Sequence, residues 1–184
     1  MSGKLNNRRI VLGVSGGIAA YKAADLAGKL TAQGAKVSCI LTANACELVT
    51  PKTFEAVTGQ GVFTSLWSAP EDFRIGHVEL AQEADVVVVA PATANIIGKV
   101  AHGICDDLLS TTLCAAWQRP VIFAPAMNTR MWNNPAVQRN VETLRQMGFR
   151  LVGPGEGRLA CGEEGPGRMA EVPQIIEAIE AAIA

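Results

Sequence analysis

Charge of neither sign is in excess in this sequence. Sixteen Lys and Arg stand against seventeen Asp and Glu, for a net charge of −1. That balance gives no footing to a nucleic acid or a membrane surface as partner. Long apolar runs are missing too, and none reaches the roughly 20 residues of a membrane span. The N-terminal MSGKLNNRR has no apolar core segment and does not read as a secretion signal. The five cysteines are odd in number and none stands in a CxxC pair. A disulfide framework and a zinc site are therefore not expected; the reading is reduced thiols in a cytoplasmic protein with no bound metal. Aromatic residues are only 5% of the chain, while alanine and valine abound, as in closely packed α/β layers. Repeats and linkers are absent, so residues 1–184 read as one domain.

What is present is a large apolar fraction, 49%, arranged around one stretch: Ile10–Lys22, IVLGVSGGIAAYK. An apolar run is followed by Ser15-Gly16-Gly17 and then by a helical pattern beginning near Ile18. Strand, glycine turn and helix N-terminus in that order make a cradle for an anion, because backbone N–H groups approach closely and the helix dipole presents its positive end. The spacing matches neither the P-loop nor the G-x-G-x-x-G dinucleotide pattern. A tight turn without a ligand explains the local pattern equally well.

The rest of the chain alternates strands and helices. Ala19, Ala23, Leu26 and Leu30 mark the buried face of the first helix. Lys36–Leu41 reads as a strand, with Thr42 and Asn44 just beyond it as either ligand contacts or helix caps. Residues 46–60 read as helical and 61–76 as irregular. His77 opens a short helix, and only its place ahead of a strand lifts it above a structural histidine; His102 is read as structural. Asp85–Ala90 (DVVVVA) is a central parallel strand buried on both faces. Thr93, Ala94, Asn95 and Ile96 follow its carboxyl end, either lining a ligand or capping a helix. A helix over 106–117 would bury Leu109, Leu113 and Cys105. Pro120–Ala124 is the next strand. Straight off it come Ala126, Met127, Asn128 and Met131, where the Asn128 amide is placed to hold a carboxylate or carbonyl.

A short strand at Arg150–Val152 leads into a segment with six glycines and two prolines between Gly153 and Gly167. It reads as an irregular mobile loop, of the kind that serves as a lid. Cys161 sits within it between Arg158 and Arg168, an unusual place for a thiol without a use. A closing helix over 172–184 presents Ile175, Ile176 and Ile179 on one face. The pattern as a whole predicts an α/β fold: a doubly wound, flavodoxin-like or Rossmann-like parallel sheet in three α/β/α layers. Such a sheet would gather the segments at 15–18, 42–44, 77, 93–96 and 126–131 on one edge.

At these residues nearly the whole chain resembles the flavin-dependent cysteine decarboxylase family, and within it the branch that acts on 4′-phosphopantothenoylcysteine. Three motifs carry the likeness: Pro125-Ala-Met127-Asn128-Thr-Arg-Met131-Trp132, the histidine at His77, and Ala160-Cys161-Gly162-Glu-Glu-Gly165-Pro-Gly167-Arg-Met169. The resemblance implies bound FMN. Its phosphate would lie on Ser15, Gly16, Gly17 and Ile18 with Thr42 and Asn44 nearby, and its flavin against Thr93, Ala94, Asn95, Ile96 and Ala126.

The activity implied is decarboxylation to 4′-phosphopantetheine in coenzyme A biosynthesis. The cysteinyl end would be oxidised to a thioaldehyde, lose carbon dioxide, and be re-reduced from an ene-thiolate, for no net redox change. His77 would act as base or orient the substrate, and Asn128 would hold its carboxylate. Cys161 would return a proton, and Met131, Arg158 and Ala160 would contact substrate. Family members form trimers or dodecamers, so a homo-oligomer is implied. Many also carry a fused cysteine-ligating domain, so this chain is either stand-alone or one part of a bifunctional protein. Three alternatives remain: a peptidyl-cysteine decarboxylase, a flavin prenyltransferase and a non-catalytic flavoprotein regulatory subunit. The Cys161 loop argues against the first, and the missing PxMNxxMW motif of prenyltransferases against the second.

Overall fold

A computed structural model of the chain describes residues 3–67, 76–159 and 162–184. Among them, apolar β-branched runs become six strands of one sheet: β1 (Arg9–Val14), β2 (Lys36–Leu41), β3 (Val62–Phe63), β4 (Val86–Ala92), β5 (Val121–Pro125) and β6 (Arg150–Leu151). Their order across the sheet is β3-β2-β1-β4-β5-β6, and all neighbours run parallel. The chain winds outward from β1 to β3, crosses back to the other side of β1, and winds outward again from β4 to β6. The doubly wound fold expected from the sequence is present, and its order reverses between β1 and β4. Ligand crevices of such sheets open at that reversal, beyond the carboxyl ends of the strands.

The helices α1 (Ala20–Ala32), α3 (Pro51–Thr58) and α9 (Val172–Ala182) cover one face, while α4 (Gly76–Glu83), α5 (Ala94–Ala101), α6 (Leu108–Ala115) and α8 (Pro135–Gln146) cover the other. Two single-turn helices, α2 (Ala43–Cys46) and α7 (Thr129–Trp132), follow strand ends. Alternation along β1 divides its side chains: Ile10, Leu12 and Val14 join the core with α1 and α9, and Val11 joins the core with α4 to α6 and α8. Every residue of β4 is buried. Removing its four valines from water contributes roughly 6–12 kcal/mol in all, an upper value because the unfolded chain already covers part of them. Gly13 faces Leu109, whose Cδ1 would lie 2.3 Å from a Cβ there, so α6 can settle directly on β1.

Several local expectations need correction. The irregular stretch 61–76 contains β3, whose two residues are too few to show a period. Ala20 and Ala27 join Ala23, Leu26 and Leu30 on the buried face of α1, and Ala19, just ahead of the helix, packs half-buried against the same core. The helix expected over 106–117 starts at Leu108, because Asp107 caps it: its carboxylate accepts from the Ser110 amide at 2.8 Å. Leu109 and Leu113 are buried as anticipated, but Cys105 lies before the cap and is exposed.

The largest correction is the glycine-rich segment. It is a two-stranded antiparallel ribbon, β7 (Gly155–Arg158) and β8 (Glu164–Arg168). Gly157, Gly165 and Gly167 adopt φ of 138°, 152° and 144°, open to glycine and strained for any other residue. The glycines that seemed to forbid regular structure are therefore what shapes this ribbon. It is seated on the chain after β5: the Met127 amide donates to the Gly167 carbonyl at 2.9 Å, and a Cβ at Gly167 would come within 2.2 Å of the Met127 carbonyl oxygen.

Candidate active site

The carboxyl ends of β1 and β4 are tied together by one side chain. Ser15 is 2% exposed. Its hydroxyl donates to the Pro91 carbonyl at 2.7 Å and accepts from the Thr93 amide at 3.1 Å, with the Thr93 hydroxyl also 3.1 Å away. Ser15 therefore holds open the mouth of the switch point. Gly16 lies flat against α2, where a Cβ would meet Asn44 Cβ at 2.4 Å and the Asn44 backbone carbon at 2.8 Å. Gly17 passes close to Thr93, its virtual Cβ 3.2 Å from Thr93 Cγ2.

Above this junction lies a cavity of about 1180 Å³. Ser15, Gly16, Gly17 and Ile18 line it from the first turn, and Thr42 and Asn44 from the second strand end. Thr93, Ala94, Asn95 and Ile96 line it from the start of α5, and Ala126, Asn128 and Met131 from the segment after β5. Arg158 closes it from the ribbon. The predicted phosphate, flavin and substrate positions are thus brought together, with three exceptions. His77 is half-buried near the start of α4 and does not line this cavity. Ala160 and Cys161 lie outside the described residues.

Local chemistry shows what each group is free to do. Thr42 is a helix cap, its hydroxyl accepting from the Ala45 amide at 3.2 Å, so capping and cavity lining coincide. Asn128 caps α7: its side-chain oxygen accepts from the Arg130 amide at 2.7 Å, which turns the amide nitrogen toward Glu163, 3.1 Å away. The Glu163 carboxylate also pairs with Arg130 at 3.1 Å. A carboxylate thus already occupies the place where the sequence suggested one would be held. His102 takes its structural role, with Nδ1 2.8 Å from the Gly98 carbonyl at the end of α5.

The lining is cationic. Lys22, Lys99, Arg158 and Arg168 line it, against one acid, Asp107. Glu171 bridges Lys22 at 3.1 Å and Arg168 at 3.3 Å. Lys99 pairs with Asp106 at 2.6 Å and Asp107 at 2.7 Å. Burial alone would raise the Asp107 pKa, but hydrogen bonds from Lys99 and Ser110, with the Lys99 charge, outweigh it and hold the carboxyl below its usual value. Burial likewise opposes the charge on Lys99, yet its two carboxylate partners raise its pKa. Sequence reasoning missed Tyr21, Lys22, Lys99 and Asp107 as lining residues. Lys22 had a signal, being one helical turn beyond Ile18; Lys99 and Asp107 had none, since they meet only when α5 packs beside α6.

Comparison with known proteins agrees with this geometry. The Flavoprotein family model matches residues 1–184. The coenzyme A biosynthesis bifunctional protein CoaBC of Bacillus subtilis is 49% identical over 176 residues, which are 96% of this chain and 43% of that protein. The protein of the same name from Escherichia coli K12 is 44% identical over 173 residues, 94% of this chain and 42% of its own. The chain thus spans less than half the length of these relatives. Among solved structures, a PPC decarboxylase mutant complexed with pantothenoylaminoethenethiol superposes with a TM-score of 0.84 at 34% identity, covering 96% of this chain and 98% of that one. The FMN-dependent cysteine decarboxylase SpaF gives 0.84 at 38% identity, covering 97% of each.

Proposed function

Since the chain belongs to the Flavoprotein family, we propose that it is an FMN-dependent carboxy-lyase converting 4′-phosphopantothenoylcysteine to 4′-phosphopantetheine in coenzyme A biosynthesis. One observation carries the reading: the glycine turn, the Asn128 segment and the glycine ribbon enclose a single cavity at the switch point. FMN fits what is there. Its phosphate suits the close-approach backbone of Gly16 and Gly17 at the N-terminus of the 13-residue α1. Its ring suits the start of α5 and Ala126, with Thr42 and Asn44 beside the phosphate arm. A cavity of about 1180 Å³ exceeds the ordinary ligand pocket of roughly 300–1,000 Å³ and has room for cofactor and substrate together.

Bound FMN would supply a two-electron oxidation of the cysteinyl end and return the electrons after carbon dioxide has left. The chain supplies placement. A substrate carboxylate takes the place of Glu163 on the Asn128 amide, one carboxylate replacing another. Arg158 and Met131 border the substrate arm, and the cationic lining favours an anionic ligand. By the family resemblance, Ala160 would contact the substrate and the Cys161 thiol would return a proton to it.

His77 enters from elsewhere. Ile18, Tyr21 and Met131 line the cavity yet are 64%, 63% and 48% exposed. A second copy of the chain, in a trimer or dodecamer, would cover them and bring its own histidine to the site as base or orienting group. No helix among the described residues is long and apolar enough to cross a membrane, as suits an enzyme that works in the cytoplasm.

The test is mass spectrometry of phosphopantothenoylcysteine incubated with FMN-loaded protein. A product lighter by one carbon dioxide and otherwise unoxidised is expected. Unchanged substrate would overturn the reading, and decarboxylation of a peptide ending in cysteine would replace it.

A further inference from the structure

The cations of the cavity wall are not equivalent. Lys99 meets two carboxylates, Asp106 and Asp107, and has no charge to spare. Lys22 and Arg168 share a single one. The two oxygens of Glu171, at the N-cap of α9, accept from Lys22 Nζ at 3.2 and 3.1 Å, and Arg168 Nη2 donates to one of them at 3.3 Å. Among the described residues neither cation pairs with any other acid. Two positive charges therefore stand against one negative charge at the wall of the cavity. The surplus is held in place from two sides. Lys22 lies in the first turn of α1, and its side chain is only 19% exposed. The Arg168 side chain crosses the ribbon over Gly157, where a Cβ would lie 3.0 Å from Nη1 and 3.4 Å from Cδ. Glycine at 157 thus leaves the space in which the guanidinium group lies.

Of the anionic groups that the decarboxylase reading brings to the cavity, two already have places. The FMN phosphate goes to the glycine turn, where Gly16 packs on Asn44 of α2, and the cysteinyl carboxylate goes to the Asn128 amide. The 4′-phosphate of the substrate has none. It ends an arm about as long as four extended residues, roughly 14 Å, too far from the carboxylate to share its site. Lys22 does not face α2; it faces Glu171 and the ribbon. We propose that Lys22 and Arg168, oriented by Glu171, form the subsite for the 4′-phosphate and set a preference for phosphorylated over unphosphorylated substrate. The assignment rests on the decarboxylase reading and deepens it. A phosphate dianion there meets an ammonium and a guanidinium group, and Arg168 engages Glu171 through Nη2 alone, which leaves its other donors for charge-assisted bonds. Glu171 keeps the two like charges together while no ligand is bound. Lys22 belongs to α1 and Arg168 to β8, so a phosphate between them also ties the ribbon to the first helix.

The experiment uses the full chain loaded with FMN. Calorimetry compares the binding of 4′-phosphopantetheine with that of pantetheine, and turnover compares phosphopantothenoylcysteine with pantothenoylcysteine. The parent chain should prefer the phosphorylated member of each pair. Lys22→Gln should cut that preference about tenfold, in the dissociation constants and in kcat/KM alike, the scale of one charge-assisted hydrogen bond. Lys22→Arg should keep most of it. Arg168→Gln should cut it too; because Arg168 also lies against Gly157 in the ribbon, Lys22→Gln on α1 is the deciding variant. An unchanged preference in Lys22→Gln would overturn the proposal, and a weakened FMN affinity beside that unchanged preference would give the lysine to the cofactor phosphate instead. A parent chain that decarboxylates both substrates with equal kcat/KM loses the subsite and keeps the decarboxylase reading. One that turns over neither substrate loses that reading, yet a preference for 4′-phosphopantetheine that Lys22→Gln removes would still uphold the subsite. A chain that binds neither ligand loses both.

Discussion

The glycine turn at Gly16-Gly17 and the glycine ribbon from Gly155 to Gly167 use the same residue for opposite purposes. In the turn, neither glycine is in the left-handed region; a side chain at Gly16 is excluded because Asn44 stands where it would be, and one at Gly17 would press on the Thr93 methyl at 3.2 Å. In the ribbon, Gly157, Gly165 and Gly167 hold φ values strained for any other residue. The first is a constraint of space and the second a constraint of conformation. The turn was legible in the sequence because strand, glycines and helix come in an order with a known purpose. The ribbon was misread because glycine density alone does not separate a mobile loop from a pair of strands running through unusual φ.

Four substitutions break or sharpen that contrast. The largest effect is expected at Gly167→Ala, where both constraints meet: φ is 144° and the new Cβ would lie 2.2 Å from the Met127 carbonyl oxygen. Roughly 3 kcal/mol or more of ribbon docking should be lost, visible as rapid proteolysis within 153–168 while the sheet stays folded. A proteolysis rate equal to that of the parent chain would contradict the seating described here. Gly16→Ala comes next. The clash with Asn44 should push α2 from the turn and weaken FMN binding by about tenfold or more, equivalent to roughly 1.4 kcal/mol, read by flavin fluorescence titration. Asn44→Gly in the same chain should restore only a small part of the affinity, because the backbone carbon at 44 would still lie 2.8 Å from the new Cβ.

Ser15→Ala tests the tie beneath the turn. It removes a buried hydroxyl with partners on Pro91 and Thr93 and should cost roughly 1–3 kcal/mol in denaturant unfolding. A chain that kept its stability but lost flavin would show the hydroxyl to be a ligand instead. Glu163→Gln should have the smallest effect. Its partner Arg130 is 85% exposed, so the ion pair contributes about 1 kcal/mol at most. The informative sign is in KM, which should fall as a competing carboxylate leaves the Asn128 amide.

Acid offers a further check away from either glycine region. The Asp107 carboxyl has a lowered pKa when folded, so its contribution to stability is complete above the unfolded carboxylate value of about 3.9 and is lost as pH falls through the lower folded value. Asp107→Asn should flatten that part of the unfolding curve against pH, and an unchanged slope would remove the Lys99 pair as its cause.

Periodicity and order along the chain were sufficient for the parallel sheet, because β4 is uniformly apolar and each strand–helix step has its own turn. They were sufficient too for the thirteen cavity residues foreseen at strand ends, since a doubly wound sheet sends those ends to one edge; Arg158 on the ribbon was implied only by the family resemblance. Tertiary structure alone decided the rest. His77 sits away from the cavity because α4 packs on α6, at a distance no spacing reveals. Glu163 reaches Asn128 only once the ribbon has folded over. A sequence records which residues a strand end must carry; which side chains share a face across two elements depends on packing, and packing is settled by volume and angle in three dimensions.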